Sequence, residues 1–178
     1  MKPHPMAGAT LVLSLAAALL LGLGGCASKP EVHHDREPGV NLRAYKTFGF
    51  YEGMPVAYET LLDARLRQAA REQMERQGYV YSEGAPDLRV NLLLRVVDRQ
   101  ELQTRGGMGY RGWGSALETR EVRDGQLTVD IVDTRRRALV WKGVIGGRVG
   151  DDALRDSGKA IGDAMATLFA AFPGDVAR

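Results

Sequence analysis

Cys26 is the chain's one thiol, and its three histidines are His4, His33 and His34, so residues 35–178 carry neither type. Cysteine-dependent zinc sites, Ser-His-Asp triads and Cys-His pairs have no parts in that stretch. His33 and His34 are adjacent, and neighbours on a strand point to opposite faces with no third ligand evident. Asp130 and Asp133 can be read as paired carboxylates. Three apart on a strand they face opposite sides, poor geometry for acid–base work on one substrate. Gly107-Met108-Gly109-Tyr110-Arg111-Gly112 is a literal G-x-G-x-x-G. A dinucleotide site needs that motif to close a strand and open a helix within a βαβ unit. Trp113-Gly114-Ser115 follows instead, and too little chain remains for the helix. The residues therefore predict no catalytic site, no cofactor, no metal and no enzyme.

Other residues suit contact better than catalysis. Tyr110, Arg111 and Trp113 lie in a glycine–aromatic segment, 99–120, that reads as a loop joining two antiparallel strands; loops of this length are often functional. These three are the candidate partner contacts, toward an envelope protein or a cell-wall polymer. Arg135-Arg136-Arg137 reads as a solvated turn and Trp141 as a packing residue. The formal charge of +2 comes from 24 basic and 22 acidic residues, with Lys2 in the leading segment. That balance argues against a nucleic-acid partner, which calls for a strongly basic face.

The leading segment gives the chain its address. Lys2 supplies a positive start, and Ala7 to Leu23 carries no charge and only Thr10 and Ser14 as polar side chains. Such a short apolar stretch followed by small residues has the form of a secretory signal; a spanning helix takes about 20 apolar residues. Leu23-Gly24-Gly25-Cys26 resembles the bacterial lipobox. The resemblance implies a signal peptide over 1–25, cleavage between Gly25 and Cys26, and a thioether diacylglycerol on Cys26, usually with an N-acyl chain. Ala27 stands where lipoproteins retained at the inner membrane carry Asp, so the similarity implies the outer membrane, periplasmic face. With Cys26 acylated, no internal disulfide can form, and stability must come from packing.

Residues 26–30 read as a lipidated tether, 31–173 as one domain, long enough to bury a real core, and 174–178 as a tail. Glu31 to Asp35 is a candidate first strand, and Tyr45 to Tyr51 alternates rings with other residues as a second. A helix is predicted from about Ala57 to Gln77, with Tyr58, Leu62, Leu66, Ala69 and Met74 in its stripe and i,i+4 pairs Asp63–Arg67 and Glu72–Arg76. Gly78 is placed for a left-handed cap. Tyr79 to Tyr81 is a short extended piece. Strands follow at Leu88–Val97, Gln126–Asp133 and Ala138–Val149, the last two a hairpin about Thr134–Arg137. Asp151 and Asp152 open a final helix to Phe172 along Leu154, Gly158, Ile161, Met165 and Leu168. The order (β)βαβββα predicts an α+β two-layer sandwich. Its sheet is expected to be mainly antiparallel, of four to five strands, with both helices on one face. The strand joined through the first helix should be a parallel or crossover neighbour.

Several segments together resemble the bacterial lipoprotein family catalogued as domain of unknown function 4136. They are Asp35 with Ala44-Tyr45-Lys46-Thr47-Phe48, Leu66, Gly78-Tyr79, Pro86-Asp87-Leu88 with Val90, Gly125 with Thr128 through Asp133, Leu139 through Gly143, and Phe172-Pro173. The family usually has an aromatic where Leu42 sits. The resemblance implies no activity, substrate or catalytic residue. Two functions remain open: a membrane-anchored interaction module, or a carrier for a small apolar ligand or lipid. A pocket lined by Leu62, Leu66, Val129, Trp141, Ile161 and Met165 would favour the second, and a packed core there would count against it.

Overall fold

The computed structural model describes residues 30–51, 59–109 and 112–173, and for 105–109 and 112–116 the backbone alone. The strands are β1 (Glu31–Arg36), β2 (Thr47–Phe50), β3 (Val80–Tyr81), β4 (Leu88–Gly109), β5 (Gly112–Asp133) and β6 (Ala138–Arg148). The helices are α1 (Leu61–Arg76), α2 (Asp151–Arg155) and α3 (Ser157–Phe169), with a 3-10 turn at Leu42–Ala44. They form one mixed sheet in the order β1-β6-β5-β4-β2-β3.

The fold is α+β, but the sheet has six strands and is mixed, which corrects the expected four to five mainly antiparallel strands. β1, β6, β5 and β4 pair antiparallel, whereas β2 pairs parallel with both β4 and β3. The parallel edge follows from α1, because a helix between β2 and β3 carries the chain back to the end where it started. Val80–Tyr81 is the sixth strand, too short for alternation to reveal it.

α1 begins where Thr60 Oγ1 accepts the Asp63 N–H at 3.1 Å, a capping bond that satisfies an orphan donor. The same hydroxyl donates to Asp63 Oδ2 at 2.6 Å. The expected Asp63–Arg67 pair is replaced by Arg67–Glu59 at 3.2 Å, while Glu72–Arg76 stands at 3.8 Å. Gly78 closes the helix with φ +90, which glycine adopts without Cβ strain. Leu66, Ala70 and Met74 bury one stripe in the core cluster that also holds Phe48, Leu88 and Val90.

The single helix expected from Asp151 to Phe172 is instead two. Asp156 leaves helical geometry (φ −128, ψ 75), and its carboxylate accepts the Lys159 N–H at 2.9 Å to start α3. An aspartate that can cap a new helix gains more there than inside an old one. Ile161, Met165, Leu168 and Phe169 are buried. α1 and α3 touch one another and share one core with the sheet.

Trp141 is the centre of that core. It is 1% exposed, edge-on to Phe172 at 5.0 Å and 5.9 Å from Phe169, while Tyr79 stands 6.1 Å from Phe172. A register shift between Ile131 and Val132 sets Ile131 opposite Trp141 and Val132 opposite Leu139. This bulge lets Val140 and Trp141 both turn inward. The indole lies over Gly143, where a Cβ would come within 2.2 Å of Trp141 Cη2 and 2.9 Å of Leu168 Cδ1. Gly143→Ala is therefore expected to destabilise by about 1–3 kcal/mol through overpacking, read as a lower urea midpoint at unchanged slope.

Residues 99–109 and 112–120, expected within a loop, are paired strand. β4 and β5 stay in register from Leu88 opposite Asp133 to Gly109 opposite Gly112. β2 leaves β4 at Val90, and β6 leaves β5 at Asp124. Beyond Asp98 and Arg123 the pair is a two-stranded ribbon roughly 40 Å long at ~3.4 Å per residue.

Candidate functional site

Two constellations could do more than hold the core. The first is polar and lies at one end of the sheet. Tyr45 Oη donates to Asp133 Oδ2 at 2.8 Å, and Asp133 Oδ1 accepts the N–H groups of Arg135 and Arg136 at 2.8 and 3.0 Å. Arg136 in turn pairs with Glu37. Beside it, Asp87 Oδ2 accepts from the N–H groups of Lys46 and Thr47 at 2.9 and 3.1 Å and from Thr47 Oγ1 at 3.1 Å. The Asp87 N–H is donated to Thr47 Oγ1 at 2.9 Å.

Burial pushes the Asp133 carboxyl up, but the hydrogen bonds from Arg136, Tyr45 and Arg135 and the Arg136 charge outweigh it and hold its pKa below the ordinary value. The Lys46 N–H is the main cause of the same lowering at Asp87. Burial, with the Asp133 hydrogen bond, raises the Tyr45 phenol. A phenol held protonated against a fully hydrogen-bonded carboxylate has no free base to offer. This cluster locks the segment before β2 to the start of β4 and to the β5–β6 turn. Tyr45, Thr47, Asp87 and Asp133 are among the residues that carry the family resemblance, and the lock gives them a structural purpose.

The second constellation is an apolar groove of about 480 Å³ between the helices and the sheet. Its floor is Leu94 and Val96 of β4, Gly125 and Leu127 of β5, and Ile145, Gly146 and Gly147 of β6. Leu62 and Leu66 of α1 form one wall, and Ala153, Leu154, Ala160, Ile161 and Ala164 of α2 and α3 the other. Small residues contribute to the lining: Ala153, Ala160 and Ala164 on the helices, and Gly125, Gly146 and Gly147 on the strands. Leu62, Val96 and Leu154 are 41%, 49% and 52% exposed at the rim. The charged and polar groups around them have partners: Arg148 with Glu101 at 3.0 Å, Arg65 with Ser157 and Lys159 with Asp163 at 2.5 Å. Pro30 closes one end, its Cα and Cβ lying 3.8 Å from where a Gly147 Cβ would stand.

Of the six residues whose lining of a pocket would favour a carrier, half line the groove, and the packed core at the other half counts against that reading. Leu62, Leu66 and Ile161 line the groove, whereas Val129, Trp141 and Met165 sit in packed core at 0%, 1% and 0% exposure. The signal that could have found it is the run Ala153, Ser157, Ala160, Ala164 at near-helical spacing, a stripe of small residues beside an apolar one.

Other candidates are placed as follows. Gly25, Cys26, Tyr110 and Arg111 lie outside the described residues, and of Trp113 only the backbone is described, opposite Met108. Asp130 is across the sheet from Asp133 and has Lys142 Nζ at 3.2 Å. His33 hydrogen-bonds Glu31 at 2.8 Å and stands opposite Val144, while His34 stands opposite Gly143. Among the described residues no group of three or more His, Cys, Asp and Glu could hold a metal ion, and no helix is long and apolar enough to cross a membrane.

The sequence profile of a family described as domain of unknown function (DUF4136) matches residues 32–174. No curated protein matches the chain. Among solved structures, the chain resembles a DUF4136 family protein from Bacteroides thetaiotaomicron at 14% identity and a TM-score of 0.54, covering 84% of this chain and 98% of that one. It also resembles a PDZ domain protein from Parabacteroides distasonis at 13% identity and a TM-score of 0.58. That match covers 88% of this chain but only 39% of the other protein's length. A PelC dodecamer from Paraburkholderia phytofirmans is similar at 12% identity and a TM-score of 0.49, over 80% and 95% of the two chains. At these identities the likeness is one of fold.

Proposed function

Starting from the premise that this chain belongs to the DUF4136 family, we propose that it is a lipoprotein and a non-enzymatic interaction module. It is anchored through acyl chains on Cys26, after cleavage between Gly25 and Cys26, on the periplasmic face of the outer membrane. The projecting β4–β5 ribbon is the observation that carries the interaction reading. A two-stranded ribbon is marginal in water on its own. Among the described residues, β4 beyond Val90 pairs only with β5, so a long strand edge stays open to an added strand. Leu102 and Leu117 are 71% and 75% exposed on the ribbon. In sequence, the candidate contacts Tyr110 and Arg111 fall between Gly109 and Gly112, with Trp113 next. The partner is an envelope protein that completes the ribbon.

A photo-crosslinking residue at position 117 is expected to capture one such protein in cells. Leu102→Asp with Leu117→Asp should abolish that capture while stability changes by no more than about 0.5 kcal/mol, the usual range for surface sites. Tyr110, Arg111 and Trp113 changed together to alanine should weaken it. Capture that is unchanged in both variants would sink the reading.

The groove supports a second reading, a binding site for an apolar ligand or lipid. Its volume lies within the ~300–1,000 Å³ usual for small-molecule pockets, and its lining is predominantly apolar as such pockets are.

A further inference from the structure

We infer that the groove holds one of the acyl chains attached to the protein's own Cys26. This rests on the anchoring reading above and deepens the second one. Three observations lead to it. The groove is open and apolar, and its charged rim groups are occupied by one another, so a ligand needs no polar head to match. Its lining is mostly aliphatic, with alanines on the helices and glycines on the strands, and its volume of about 480 Å³ has room for an unbranched methylene chain. Above all, Pro30 lies at the groove's end, and only Ala27, Ser28 and Lys29 separate it from Cys26. Four residues reach at most ~14 Å when fully extended. The Cys26 backbone is therefore never farther than about that distance from Pro30.

The tether also decides between occupants. A short flexible link gives its ligand an effective concentration of about millimolar, ahead of scarce free fatty acids. Moving a methylene from bilayer to groove exchanges one apolar surrounding for another, each far better for it than water. The transfer is nearly balanced, so contacts with Leu62, Leu154 and Ile161 can tip it. Stable anchoring takes two chains, and a triacylated cysteine retains two when the groove takes one. The domain then sits against the bilayer with this apolar groove filled by its own lipid.

The test uses the full-length protein in cells supplied with a palmitic acid analogue that carries a terminal diazirine. After irradiation the protein is purified, digested and mapped by mass spectrometry. The expected result is crosslinks from the Cys26 lipid to the α2–α3 segment 151–164 or to residues 145–148 of the same chain. Leu154→Asp and, separately, Ala164→Phe should lower their yield at least fivefold with an unchanged far-UV circular dichroism spectrum. Leu154 is half exposed, so its variant folds even where the bulkier change at 164 does not. Label on Cys26 with crosslinks confined to phospholipid overturns the inference alone. Absence of label on the protein overturns the anchoring reading and the inference with it. A tagged Cys26→Ala copy in the same cells is the last control. Its groove should stay unlabelled; labelling there overturns self-occupancy and assigns the groove to other lipid tails.

Discussion

Trp141→Ala should cost about 3–5 kcal/mol of unfolding free energy, the range for removing a large aromatic from a core. The indole is 1% exposed and packs against Phe169, Phe172 and the Gly143 backbone. Its removal opens a cavity where the end of the helical layer meets the bulge in β6, and the surrounding rings can collapse only in part. Trp141→Phe should cost about 1–2 kcal/mol, because mostly volume is lost. Among the described residues Trp141 Nε1 has no hydrogen-bond partner, so phenylalanine forfeits no bond there. Urea unfolding followed by far-UV circular dichroism checks both variants. Equal losses for alanine and phenylalanine would mean that the nitrogen, not the ring volume, matters.

Asp133→Ala is the second large effect, at about 3 kcal/mol. The substitution removes the acceptor of three hydrogen bonds, and bonds to a charged group contribute about 1.5–3 kcal/mol each before relaxation. It leaves the Tyr45 hydroxyl buried opposite an empty position, and the β5–β6 turn loses the two N–H bonds that shape it. Asp133→Asn keeps one acceptor oxygen and should recover part of the loss. The effect depends on pH with a definite sign. The folded carboxyl titrates below the ordinary value of 3.8. Its stabilising contribution is therefore complete above that value and disappears as pH falls through the lower, folded one. The gap between wild type and Asp133→Ala should be full at pH 7 and shrink below about pH 4. Asp87, lowered in the same sense, should make wild-type stability fall over the same window. Paired denaturation curves at pH 7 and pH 3 test this; a gap that widens in acid would contradict the assignment.

Much of this architecture is legible in the sequence where local chemistry acts alone. The stop at Gly78 follows from a glycine beyond an apolar stripe, and the turn at 134–137 from polar residues between two alternating runs. The parallel neighbour of β2 follows from the helix that must cross over. What was hidden depends on distant partners. Val80–Tyr81 becomes a strand only because the N–H groups of Val80 and Ser82 meet the carbonyls of Lys46 and Phe48 at 2.9 and 2.8 Å. Asp156 competes with its own helix, and pattern alone does not say which side prevails. Residues 99–120 carry many glycines and charges, which reads as loop. A neighbouring strand that is already extended can carry such a sequence onward as ribbon, since each added pair starts from the one before. Asp133 looked like half of a poor catalytic pair. Its task became visible only with Tyr45, 88 positions away in the chain, hydrogen-bonded to it. The groove was anticipated between helices and sheet but set too deep, because large apolar side chains suggest a lining when they in fact fill the core.

β1 has a mechanical consequence. Among the described residues it forms the outer edge of the sheet, paired with β6 alone, and Val32 is the hydrophobic residue by which it packs against the core. A load that enters the domain through Pro30 meets this strand first, at Glu31. The ladder from Glu31 to Arg36 can then open bond by bond, with Glu37 held last by its backbone bond to Val140 at 3.1 Å and its ion pair with Arg136. The other strands and the aromatic centre remain assembled meanwhile. Release of residues 31–41 would free a segment roughly 35 Å long when fully extended, at ~3.3 Å per residue. Under the anchoring proposed above, the first strand would act as an extensible fuse between the membrane and the folded body.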